Sequence, residues 1–68
     1  MLKRYDDCKG RCACYADPST GLIEHDYKRV KTKTIIPVGG VYVIERDQTE
    51  TILQRVSDRY IKVTSNMV

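Results

Sequence analysis

Three apolar-rich stretches follow one another from Val41 to Thr64, and two polar breaks divide them. Val41-Tyr42-Val43-Ile44-Glu45-Arg46 is β-branched and aromatic, Asp47-Gln48-Thr49 carries turn residues, and Glu50-Thr51-Ile52-Leu53-Gln54-Arg55-Val56 runs back. Ser57-Asp58-Arg59 turns again before Tyr60-Ile61-Lys62-Val63-Thr64. Short strands of this composition joined by polar turns of about three residues predict an antiparallel meander over 41–64. Val41 and Val43 alternate with Tyr42 and Ile44, so the first strand is apolar on both faces, which predicts a central place with cover on each side. The return strand offers Ile52 and Val56 on one side and Leu53 on the other; the last offers Ile61 and Val63. Residues 65–68 are expected to fray.

Upstream, Asp17-Pro18-Ser19-Thr20-Gly21 is a turn with a mechanism. Pro18 presets φ, the Asp17 carboxylate can accept from the loop amides, and Gly21 tolerates positive φ at the exit. With Pro18 to Gly21 as the loop, Asp17 faces Leu22, Cys14 faces His25 and Cys12 faces Tyr27, in a hairpin over about 12–27. Residues 1–11 show no clean period and are expected to be loosely ordered, with a short strand at Leu2 to Tyr5.

Between hairpin and meander, His25 to Ile36 reads as one long strand, bent at or after Lys28. Period two sets Tyr27, Arg29, Lys31 and Lys33 on one side, and Lys28, Val30, Thr32, Thr34 and Ile36 on the other. Pro37 and the Gly39-Gly40 pair end it, Pro37 because it lacks a ladder donor. Hairpin, basic strand and meander add up to an all-β chain of five strands, a small antiparallel sheet or a five-stranded barrel.

Composition narrows the picture. One domain of 68 residues with no Trp and no Phe must build its core from Val, Ile, Leu and the five Tyr. A metal, a dimer partner or a binding target is then a natural source of added stability. No apolar run is long enough to span a bilayer or act as a signal peptide, so the expectation is a cytoplasmic protein with no membrane partner. In a reducing compartment Cys8, Cys12 and Cys14 are thiols or metal ligands, and their odd number argues against a closed disulfide framework.

The hairpin register puts Cys12, Cys14 and His25 on one side, and Gly10 lets Cys8 fold back toward them. Together they make a candidate Cys₃His set for a structural Zn²⁺. The Cys-x₃-Cys-x-Cys spacing departs from the Cys-x₂-Cys knuckle, and the competing reading is two small buried thiols and one exposed one. A Cys–His nucleophile lacks any turn that would build an oxyanion hole, so no enzyme is expected.

The net charge of +3 is mild, but its placement is not uniform. Cationic residues at i and i+2 on a strand lie about 6.6 Å apart, comparable with successive phosphates on an extended single strand. Lysines on an edge strand also serve to prevent edge-to-edge aggregation, which is the plain alternative. The leading expectation is a non-enzymatic binding module, an adaptor or inhibitor, presenting Tyr27, Arg29, Lys31 and Lys33 with Arg46, Arg55 and Arg59 to an acidic protein or nucleic-acid partner. The alternative is a zinc-stabilised structural or nucleic-acid-binding module. No motif is specific enough to name a family.

Overall fold

The computed structural model describes residues 1–68 and contains seven strands and no helix. In chain order they are β1 (Lys3–Asp6), β2 (Cys12–Asp17), β3 (Leu22–Tyr27), β4 (Val30–Ile35), β5 (Val41–Arg46), β6 (Thr49–Arg55) and β7 (Ile61–Met67). All pairings are antiparallel and sequential. β1 to β4 form one sheet and β5 to β7 a second, not closed into a barrel.

The turns account for the strand count. At Pro18 to Gly21 the expected chemistry holds: Asp17 Oδ1 accepts from Ser19 N at 3.0 Å, Gly21 has φ +81°, and Asp17 pairs with Leu22. The stretch from His25 to Ile36 is not one bent strand. It reverses completely at Lys28-Arg29, whose φ values of 51° and 68° make a two-residue turn between Tyr27 and Val30. Asp47-Gln48 makes the same kind of turn, so Thr49 belongs to β6 rather than to the loop. At the C-terminus β7 runs on to Met67, and Val68 N donates to Gln48 O at 2.8 Å. The expected fraying is replaced by a ladder with β6 over its whole length.

The inner faces of the two sheets share one apolar cluster. Cys14, Ala16, Ile23 and Ile36 come from the first sheet and its exit, Ile44, Leu53 and Ile61 from the second, with Tyr5, Tyr42 and Val63 packed around them. β6, not β5, is the central strand of the second sheet. β5 lies at its edge, leaving Val41 and Val43 on an open outer face.

Leu53 is the sole apolar side chain on the inward row of β6; Thr49, Thr51 and Arg55 share it and are buried. Arg55 closes one end of the core. Its Nε donates to Pro18 O, Nη1 to Ile36 O and Nη2 to Ser19 O, each at 3.0 Å. Its backbone joins the same junction, Arg55 N donating to Gly40 O and Gly39 N to Arg55 O. Gly21 forms the wall beside it, where an added Cβ would sit 2.1 Å from Ile36 O and 2.9 Å from Arg55 Nη1.

Replacing Arg55 with Ala is expected to destabilise the protein by about 3–5 kcal/mol, since each buried carbonyl left without a donor costs about 1–3. Arg55→Lys should recover only part, because one ammonium cannot span three carbonyls as a planar fork does. Gly21→Ala should be as damaging, through both the close carbonyl and the positive φ. Urea unfolding of the three variants measures the order.

Candidate functional site

The cations expected on one stripe are divided by the Lys28-Arg29 reversal. Directly opposed residues share a face, so Lys31 lies with Asp26 and Lys33 with Glu24 on the outer side of the first sheet. Glu24 Oε1 lies 3.3 Å from Lys33 Nζ and 3.9 Å from Lys31 Nζ. Tyr27 is opposite Val30 and faces the other way. Its ring lies 4.9 Å from the Arg46 guanidinium and 5.3 Å from Lys28 Nζ, and its hydroxyl donates to Asp47 Oδ1 at 3.3 Å. Lys28, Arg29, Lys31 and Lys33 are all exposed.

Arg46 is half-buried beneath Tyr27, and Arg59 is exposed on the loop between β6 and β7. Arg55 is not a surface residue at all. It is 8% exposed, with each of its three nitrogens donating to a buried or part-buried carbonyl, so it does not belong to the surface expected to meet a partner. Period two did not reveal this, because the inward row of β6 is mostly polar.

The cysteines and His25 are dispersed. The hairpin register is the expected one, but the β2–β3 ladder stops at Tyr15 and Glu24, one pair short of Cys14 and His25. A bulge against β1 near Cys12 shifts the start of β2, while β3 continues in register with β4. Between the diverging strands lies a slot of about 460 Å³, lined by Cys12, Ala13, Cys14, Glu24, His25 and Asp26 among others. Cys14 is buried in the apolar cluster, where burial and then the neighbouring Cys12 push its thiol up to about 12. Cys12 Sγ points at Cys14 O at 3.7 Å, and His25 Nε2 is hydrogen-bonded to Tyr42 Oη at 2.9 Å. Cys8 is exposed on the β1–β2 loop, its N–H donating to Ser65 Oγ. No three His, Cys, Asp or Glu side chains are arranged to hold a metal ion.

A polar cluster that the sequence pattern did not flag closes the core end opposite Arg55. Asp7 is buried, its Oδ1 accepting from the Lys9 and Arg11 amides and its Oδ2 from Arg11 Nε at 3.0 Å. Arg11 Nη1 continues to Asp47 Oδ2 at 2.9 Å, and Lys9 Nζ to Asp47 O at 3.1 Å. Burial works against ionisation of Asp7, but the Arg11 and Lys9 amides and the Arg11 guanidinium outweigh it and hold the carboxyl below its ordinary range.

Two outcomes follow from these environments. A thiol reagent should modify Cys8 at once and reach Cys14 only on unfolding, which time-resolved thiol counting checks. The stabilisation from the depressed Asp7 carboxyl is complete above the ordinary value of 3.8 and disappears as pH falls through the lowered folded-state pKa. Asp7→Asn should therefore be least stable relative to the parent at neutral pH, with the gap closing below 3.8 in urea titrations at stepped pH.

Comparison of the chain with family models, with curated proteins and with solved structures gives no match.

Proposed function

We propose that this chain is a non-enzymatic binding module, an adaptor or inhibitor whose contact surface is the β3–β4 hairpin and whose partner is acidic. One observation carries the reading: Lys28, Arg29, Lys31 and Lys33 are all exposed within a single hairpin, and only the last two have a carboxylate near them. The hairpin tip projects Lys28 and Arg29, and the β4 edge continues the charge with Lys31 and Lys33. Tyr27 and Arg46 stack behind the tip and brace it. Long cationic side chains on a projecting hairpin attract carboxylate-rich protein surface or phosphate backbone alike, by long-range field as well as contact.

The ion pairs to Glu24 do not remove this charge: one largely covered carboxylate is shared by two exposed ammonium groups, one of them at 3.9 Å, so a net positive charge stays in contact with solvent. Edge protection by Lys31 and Lys33 accounts for the β4 lysines but leaves Lys28 and Arg29 unexplained, since turn residues face no neighbouring strand.

The test neutralises the hairpin without breaking it. Lys28→Asn with Arg29→Gly keeps residues suited to positive φ, and Lys31→Gln with Lys33→Gln keeps polar edge positions. The fourfold variant should retain its β circular dichroism and lose affinity for heparin and for single-stranded oligonucleotide. On the oligonucleotide the salt slope should fall by up to about 3, from about 0.7 for each phosphate contact. Retained binding to heparin and oligonucleotide with an unchanged salt slope would place the contact surface elsewhere.

A further inference from the structure

The free strand edges of the two sheets are not alike. β1 carries Lys3, Arg4 and Asp6, β4 carries Lys31 and Lys33, and β7 carries Lys62 among small polar residues. Charges of this kind keep a second strand from docking on an edge. β5 runs Val41-Tyr42-Val43-Ile44 before its first charge at Glu45, and β6 is its one ladder partner.

The turn fixes where its backbone points. A two-residue turn with both φ values positive closes a hydrogen-bonded pair, here Arg46 with Thr49. Alternation then directs the N–H and C=O of Tyr42, Ile44 and Arg46 toward β6, and those of Val41, Val43 and Glu45 away from it. None of the outward groups is engaged by a loop or a side chain. Beside them the outer face carries an apolar patch between Gln54 and the Glu45–Glu50 pair: Val41 and Val43 are 54% and 47% exposed, and Ile52 pairs with Val43.

We propose that β5 is a self-association edge, on which β5 of a second copy pairs antiparallel about a two-fold axis through Val43. What stands open is a row of alternating donors and acceptors, so the occupant is an extended strand. The second copy supplies the same row in reverse. Val43 meets Val43 and Val41 meets Glu45, each free N–H facing a free C=O, while Val41, Val43 and Ile52 of both copies merge into one apolar strip.

Charge sets the direction. Glu45 already sits opposite Glu50 on β6, and an in-register parallel copy would add a second such pair beside it. Antiparallel pairing sends the two acidic pairs to opposite ends of the joint. In the dimer β5 becomes an interior strand of a continuous sheet, which is the place its two-faced apolar pattern suits.

Sedimentation of the full chain over a concentration series tests the proposal. The expected result is a shift from 7.8 kDa toward twice that mass. Amide exchange should slow with concentration at Val41, Val43 and Glu45 and stay unchanged at Tyr42 and Ile44. Val43→Lys places a charge on the edge, and Val43→Pro removes an N–H that β6 does not use. Both should remain monomeric, with β circular dichroism retained, where the parent is dimeric. A parent chain at 7.8 kDa throughout overturns the proposal, as does a dimer that survives in either folded variant. If neither variant folds, the parent's amides decide, and exchange at Val41, Val43 and Glu45 that is independent of concentration overturns it.

Discussion

The arrangement depends on one buried cation. Arg55 reaches from the second sheet into the junction between the β2–β3 loop and the β4–β5 connection, and holds both by their carbonyls. No carboxylate lies within pairing distance of it, so the charge is solvated by peptide dipoles alone. That is tolerable for a guanidinium, whose charge is spread over a planar fork and weakly hydrated, and poorly tolerable for a compact ammonium. The consequence is mechanical. Pro18 and Ser19 in one connection are distant in sequence from Ile36 and Gly40 in the other, yet all four are fixed by one side chain and its own peptide. Gly21 is the complementary part, a residue without Cβ at the point where the Ile36 carbonyl comes closest.

β6 explains how so small a chain holds together on so few apolar residues. Its inward row meets the Asp7–Arg11–Asp47 network at Thr49, bonds Ser65 through Thr51, fills the core with Leu53, and clamps the far junction with Arg55. Only the middle of the strand works by burial of hydrocarbon; both ends work by hydrogen bonds to groups that would otherwise be stranded. Buried polar networks are valuable only when nearly complete, and this one is: the one buried side-chain nitrogen without a hydrogen bond is Arg46 Nε, which still lies 3.5 Å from Asp47 Oδ2.

That division also marks what the sequence made legible. All-β architecture, the meander and the register at Asp17–Leu22 follow from period two and from turn chemistry contained in adjacent residues. Pro18, Asp17 and Gly21 each do locally what the turn needs. Lys28 and Arg29 do not: nothing in either residue favours positive φ, so the reversal there is imposed by the pairing of β3 with β4, and their local pattern is that of a continuing strand. The division of the expected Tyr27 to Lys33 stripe descends from that point. Once the chain reverses, Tyr27 turns inward to Arg46 while Lys31 and Lys33 turn outward to Glu24. Arg55 leaves the surface for a separate reason: alternation shows that it shares a side with Leu53 but not that three carbonyls await it.

The two similar turns differ in a way that bears on function. Asp47 suits a left-handed backbone, and it is anchored by Arg11, Lys9 and Tyr27. Lys28 and Arg29 adopt the same backbone without such suitability, and no carboxylate holds either of them; Lys28 has only the Tyr27 ring. Asn-Gly would make that turn at lower conformational cost and leave the ladder unchanged. Gln48 adopts positive φ in the other turn as well, so the backbone alone does not single out Lys28 and Arg29; what distinguishes their turn is the charge it carries. That charge is two exposed cations, Lys28 resting over the Tyr27 ring and Arg29 beside it, at the end of a hairpin whose second strand adds Lys31 and Lys33.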